Sequence, residues 1–278
     1  MDEAGWKLSD WKEDENMENK NAMQPEKQAA IRTLSGSEEL YVLISLCTKM
    51  PFVMCDPETF DDEIFIYEKE EDIKREGKRF ADQKIPLRIA KVARKNFLNF
   101  YANLFTMGVN CVVLNGYMPD MYKLQLSELV KKPGQKLPDG QIWVENPGLH
   151  LTALYFMQEV RRQKLSELTD ELKEMQEEIL TDYGKGTYVA AVHENNGIPL
   201  LKQKNGDVFQ PVFTDILEFG KFNKDNQFKA VVVTAAKIPE ILAEDAKGVV
   251  INPFGVNLQF PITKRPEKKR PEREQERE

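Results

Sequence analysis

The chain is poor in the residues that carry most enzyme and metal chemistry. Only two of its 278 residues are histidine, His150 and His193, and neither has a second histidine four positions on to share a helical face. Its three cysteines, Cys47, Cys55 and Cys111, are odd in number and lack metal-ligand spacing. They predict reduced thiols in a cytoplasm. No GxSxG, GxGxxG or CxxC motif occurs. Gly184-Lys185-Gly186-Thr187 has part of a phosphate loop's composition, but it leaves a helix and enters a strand, the reverse of a phosphate loop. A helix C-cap and turn account for both glycines. The acidic stretch Asp56, Glu58, Asp61, Asp62 and Glu63 lacks the central glycine and closing glutamate of a calcium loop and reads as a solvated turn. Cys111, within VNCVVL, reads as a buried, inert thiol. No catalytic, cofactor-binding or metal-binding residue is therefore expected, and the chain is not expected to be an enzyme.

Long apolar runs are also missing, and none nears the ~20 residues of a membrane helix. The first thirty residues hold eight acids, four bases and no apolar core, so no secretory leader is expected. With 39 basic against 46 acidic residues the net charge is −7, a poor basis for neutralising phosphates, and nucleic acid is an unlikely partner. What the chain does have is 41% hydrophobic residues over a length suited to two domains of roughly 150 residues each.

Residues 1–25, with Trp6 and Trp11 among polar neighbours, and residues 264–278, alternating bases and acids, read as tails that bury nothing. In the second half, strands are predicted over Thr187–His193, Ile198–Gln203, Val208–Phe213, Phe228–Thr234, Gly248–Ile251 and Val256–Pro261. Turns fall at Asn195-Asn196-Gly197 and at Asn205-Gly206, the latter read as type I′. Thr214 or Asp215 can cap a short helix through Phe219, and Ile238–Ala243 makes another. The AVVV run in Phe228–Thr234 suggests a buried strand. The pattern is an antiparallel-rich sheet with helices on one side, hence α+β.

The chain also repeats itself. ELYVLISLCTKMPF, from Glu39, matches GTYVAAVHENNGIPL, from Gly186, setting Tyr41 on Tyr188. EIFIYEKEED (from Glu63) matches QPVFTDILEF (from Gln210), IPLRIAKV (from Ile85) matches AVVVTAAK (from Ala230), and Asn115 falls on Asn252. The first copy takes 74 residues from Tyr to Asn and the second 64, with the excess in Glu68–Phe80 and Lys95–Thr106. Between the copies, the stripe Leu165, Leu168, Leu172, Met175, Ile179 predicts one long helix over 149–181, on the order of 50 Å. Its early turns would pack on the first domain and its later turns on the second, with Gln158 and Arg161 at a wet waist.

The expected architecture is α+β, two similar domains joined by a long helix. A first domain spans 26–132, a linker 133–146, and the long helix plus second domain 147–263. Phe213, Thr214, Asp215, Asn252, Pro253, Phe254 and Gly255 form a possible interaction surface, with Asn252-Pro253-Phe254-Gly255 as a tight turn.

On TYVAAV, on PVFTD from Pro211 to Asp215 and on GVVINPFG from Gly248 to Gly255, the second half resembles the N-terminal domain of the SseB family, named for enhanced serine sensitivity. The resemblance covers about Tyr183–Pro261, and more weakly Leu34–Leu126, where Asn115-Gly116 replaces Asn-Pro-Phe-Gly. It implies a bacterial, cytoplasmic α+β domain and supplies no catalytic residues. The expected function is a non-catalytic binding or adaptor protein with an unknown protein partner. The alternative is an enzyme or small-ligand sensor using an interdomain cleft, through Cys111 or carboxylates near Asp215.

Overall fold

The computed structural model describes residues 25–132, 142–163, 167–195 and 197–262. Of the predicted tails, residues 1–24 with Trp6 and Trp11 and residues 264–278 lie outside the described residues, as do most of the 133–146 linker, Leu165 and Asn196; Pro25 opens a helix. The first half runs α1 (Pro25–Gly36), β1 (Glu39–Ser45), β2 (Val53–Cys55), β3 (Asp62–Tyr67), α2 (Glu70–Asp82), β4 (Leu87–Ala93), α3 (Phe97–Thr106), β5 (Cys111–Leu114), β6 (Tyr122–Gln125) and α4 (Leu126–Leu129). Then come α5 (Pro147–Gln163) and α6 (Asp170–Lys185). The second half runs β7 (Thr187–His193), β8 (Leu201–Lys202), β9 (Val208–Phe213), α7 (Ile216–Phe222), β10 (Phe228–Thr234), α8 (Ile238–Ile241), β11 (Gly248–Ile251) and β12 (Leu258–Pro261).

Two sheets of six strands each result, ordered β4-β1-β3-β5-β6 with β2 on β3, and β10-β7-β9-β11-β12 with β8 on β9. In each, one pair is parallel, β3 with β5 and β9 with β11, and the other pairs are antiparallel. The fold is α+β with two similar domains.

The repeat is real, but its register differs from the sequence superposition. Val42 pairs with Ile66, which lies beside Leu114 just before Asn115; Ala190 pairs with Val212, which lies beside Ile251 just before Asn252. Leu40, not Tyr41, is thus the counterpart of Tyr188. A one-residue slip reverses every side chain of a strand. The true register puts Leu40 and Tyr188 together in the main core, while Tyr41 and Val189 face the outer sides of their sheets. Likewise Val92 corresponds to Val233 rather than Lys237, four residues later, because Leu40 pairs with Val92 and Tyr188 with Val233.

Helices cover both faces of each sheet, not one. α2 lays Ile73 and Phe80 on Leu43, Phe65 and Tyr67, and α7 lays Phe219 on Val189 and Phe213. The opposite faces meet α1, α3, α5, α6 and α8 in one apolar cluster that runs unbroken from Ile64 and Ile66 to Val249 and Ile251. The single long helix is absent. α5 ends at Gln163, and Thr169 restarts the chain as N-cap of α6, its hydroxyl accepting from Leu172 N–H at 3.3 Å. The two helices fold back on each other, Gly148 of α5 lying against Asp182 of α6. The hydrophobic stripe continues across the break, so periodicity alone concealed it. β8 is only two residues long, and the turn before β9 takes a left-handed φ at Gly206 (89°) but not at Asn205, so it is not type I′.

An asparagine turn follows each parallel pair. Asn115 and Asn252 both take left-handed φ, 49° and 47°, which asparagine tolerates better than most residues. Asn115 Oδ1 accepts the N–H of Glu68 at 3.1 Å, and Asn252 Oδ1 accepts that of Thr214 at 3.0 Å. The side chain thereby ties β5 or β11 to the end of its parallel neighbour. Asn252 also donates to Thr214 Oγ1 at 2.8 Å, fully buried. Asn252→Ala is expected to cost about 2–4 kcal/mol in urea unfolding, combining the left-handed penalty with a stranded Thr214 N–H. Asn115→Ala should cost less, since Glu68 is solvent-exposed; equal losses would contradict this account.

Candidate functional site

The seven residues expected to form an interaction surface do converge, but mostly inside the protein. Phe213, Thr214, Asp215 and Asn252 are at most 1% exposed, Gly255 is buried and Pro253 half-buried, leaving only Phe254 open at 59%. The reason is that they lie where the second sheet meets α5. Asp215 caps α7, its Oδ1 accepting from Leu217 and Glu218 N–H at 2.9 Å each, while Oδ2 accepts from Thr214 Oγ1 at 2.8 Å. Asn146, just before α5, donates to the carbonyls of Thr187 and Thr214 at 2.7 and 2.8 Å. Gly255 is closely approached, a Cβ there standing 2.9 Å from Glu218 Oε2.

At the centre of this network sits a residue that no motif singles out, His150 of α5. It is fully buried, with Nδ1 donating to the Thr106 carbonyl of the first domain at 3.2 Å and lying 3.4 Å from Thr214 Oγ1 of the second. Asp215 Oδ2 is 3.8 Å from Nδ1, and Glu218 Oε1, paired with Lys221, is 4.0 Å from Nε2. Burial, partly offset by Glu218 and Asp215, pushes the His150 pKa below its usual 6.5; burial likewise raises that of Asp215. The cluster is a sealed polar joint.

Further along α5, three side chains bond to the first domain or to both. Tyr155 donates to Asp62 at 2.6 Å and Gln158 to the Val53 carbonyl at 3.3 Å. Arg161 donates to the Cys47 carbonyl at 2.6 Å on one side and to the Val256 and Asn257 carbonyls at 2.8 and 3.1 Å on the other. The expected wet waist at Gln158 and Arg161 is thus a set of direct bonds, buried at Gln158 and half-buried at Arg161, and α5 lies between the domains instead of spacing them apart.

The other sequence candidates have structural roles. Cys111 is 1% exposed, and burial raises its thiol to about 12, out of range for a nucleophile near neutrality. Gly184 and Gly186 are not left-handed C-caps; Gly186 exists for space, a Cβ there lying 2.3 Å from the Tyr188 hydroxyl. The acidic turn is tied down rather than solvated. Asp56 Oδ1 accepts the Glu58 and Thr59 N–H groups, and Lys123 pairs with both Asp56 and Glu63. The Lys123 hydrogen bond, with those two N–H bonds, holds Asp56 down to about 2. Among the described residues no three His, Cys, Asp or Glu side chains gather as a metal would require.

An exposed feature is a strand that its composition predicts to be buried. β10 forms one edge of the second sheet, and Val231 and Val232, on opposite faces, are 45% and 43% exposed. Its counterpart β4 is protected: Leu87 and Ile89 pack under α2, Ala90 and Val92 join the main core, and Lys91 pairs with Glu39 at 2.9 Å. The difference lies in the helices. α2 has 13 residues against 7 in α7, and α3 has 10 against 4 in α8. The shorter second copy keeps its strands and loses the cover over the centre of β10, while Val233 still joins the main core and Phe228 packs beside Phe222. That shortening, visible in the 74 against 64 residue spans, was the available signal.

These features define a two-repeat α+β protein with a buried interdomain joint and an exposed edge strand, β10. No family model matches the chain, and no curated protein matches it. Two solved structures are similar to it. Tic22 from Plasmodium falciparum is 14% identical over 80% of this chain and 90% of its own, with a TM-score of 0.20. Anabaena Tic22, described as a protein-transport protein, is 11% identical over 76% and 83%, with a TM-score of 0.22. At such TM-scores no property of Tic22 passes to this chain.

The joint predicts a pH response. Below pH 6.5 the unfolded chain binds a proton at residue 150 that the folded protein resists, so stability falls with pH by up to about 1.4 kcal/mol per unit. Asp215 works in the opposite sense above its usual 3.8, and comparison with His150→Gln isolates the histidine. Urea unfolding at pH 7.5 and 5.5 should show a smaller loss in His150→Gln than in the parent; equal losses would mean that His150 is not desolvated.

Proposed function

We propose that the chain is a non-catalytic binding protein that takes a protein partner at the open edge of β10. The exposed, β-branched β10 carries this reading. Soluble proteins guard sheet edges with charge, proline or cover, and β4 of the same chain is guarded in that way. β10 has Lys229 as its only charged residue and no proline. A partner that adds a strand satisfies backbone groups and covers the valines together, which neither a small solute nor a nucleic acid does. The three segments that resemble SseB are β7, the end of β9 with the Asp215 cap, and β11 with the Asn252 turn. They are scaffold positions, in keeping with two SseB-like units of bacterial type. The free thiols of Cys47, Cys55 and Cys111 suit a cytoplasmic setting. Among the described residues no helix is long and apolar enough to cross a membrane.

A catalytic or ligand-sensing cleft between the domains has less support, because α5 fills that space, although His150 Nε2, Gln158 Oε1 and Glu218 Oε2 are buried there without a hydrogen-bond partner among the described residues. Replacing Val231 and Val232 together by lysine should leave thermal stability nearly unchanged, surface substitutions costing within about 0.5 kcal/mol. The same variant should lose partners cross-linked to the parent protein in native extract by at least about tenfold. Retention of the same partners would contradict the reading.

A further inference from the structure

The parity of the β7–β10 ladder shows which backbone groups are open. Ala235 N–H donates to the Gly186 carbonyl at 3.0 Å, so in this antiparallel register Val233, Val231 and Lys229 exchange bonds with β7. Phe228, Ala230, Val232 and Thr234 turn their N–H and C=O outward. His193, opposite Phe228, accordingly sends its N–H away from β10 to the Gly197 carbonyl at 2.7 Å. The asparagine side chain of residue 223 already serves Phe228, accepting its N–H at 3.0 Å and donating to its carbonyl at 2.8 Å. At the centre of the strand this leaves the N–H and C=O of Ala230 and Val232, four groups without a partner among the described residues.

Resting on the reading that β10 binds a partner strand, we infer that the partner is β10 of a second copy, paired antiparallel about a two-fold axis at Val231. In that register Ala230 of each copy exchanges both bonds with Val232 of the other, so all four open groups are used. Val231 meets its symmetry mate on one face, and Lys229 falls opposite Val233, so no like charges are opposed. β10 contains no carboxylate to repel its copy. The pairing is self-complementary and closes, since each β10 covers the other. The chain's own remaining segments do not fit the site as well: residues 1–24, 133–141 and 263–278 contain no three consecutive apolar residues.

Sedimentation of the full chain tests this. At about 100 µM the parent should sediment at twice its 32.1 kDa. Val232→Lys and Ala230→Pro should sediment as monomers with unchanged circular dichroism; the proline removes an outward N–H without touching the β7 ladder. Under mild oxidation Val231→Cys should yield a covalent dimer, and Lys229→Cys should yield no more than the parent. A monomeric parent, or a dimer that survives both edge variants, overturns the inference. So does a cross-link at residue 229 but not at 231. A monomeric parent whose extract partners still depend on Val231 and Val232 would overturn self-pairing alone; loss of both results would overturn the binding reading as well.

Discussion

Helix α5 is the constraint on which the rest of the structure depends. It belongs to neither repeat, and its side chains bond to both: His150 to the carbonyl of Thr106 and toward Asp215, and Arg161 to Cys47 on one side and to Val256 and Asn257 on the other. A guanidinium among carbonyls is a costly group to bury, and burial weakens its hold on its proton, though arginine stays charged. Three charge-assisted hydrogen bonds offset that cost, and they exist only while both domains are in place. The same holds for His150. Because the main apolar cluster also runs from one sheet to the other, the two repeats behave as halves of one core.

The duplication explains both the regularity of the molecule and its one irregular surface. Each half spends its asparagine on the same task, closing a parallel strand pair with a left-handed turn and a side-chain bond. The register of every strand in one half recurs in the other. The helices beside the edge strands recur only in shortened form, and a strand covered along its length as β4 is exposed at its centre as β10. Strand composition did not change to match. FKAVVVT keeps the apolar character of a covered strand where LRIAKVA carries two charges.

Much of this was legible in sequence and some was not, for identifiable reasons. The α+β class, the two repeats and the Asp215 cap follow from local pattern, because turn residues, caps and strand periodicity act within a few residues. The repeat register was missed by one residue because tyrosines at positions 41 and 188 attract each other in a superposition, while the sheet faces are set by pairing across the chain. The helix break before Thr169 was hidden by an apolar stripe that continues across it. The Thr214, Asp215 and Asn252 group was found as a cluster but placed on the wrong side of the surface. Polar residues at strand ends look solvent-facing until α5, distant in sequence, is laid over them. β10 was read as buried for the complementary reason: composition records what a strand can bury, and only the length of neighbouring helices records whether it does.

Residue-resolved amide hydrogen exchange of the dilute protein tests the central claim most directly, that the two repeats are one cooperative unit with an exposed edge strand, β10. The account predicts a common opening free energy for the slowest amides of β1, β7 and α5. Along β10 it predicts an alternation, with Val231 and Val233 protected by their bonds to β7 and Ala230 and Val232 exchanging near the rate of an unstructured chain. Two distinct opening energies for the two halves, or slow exchange at Ala230 and Val232 in the monomer, would contradict it.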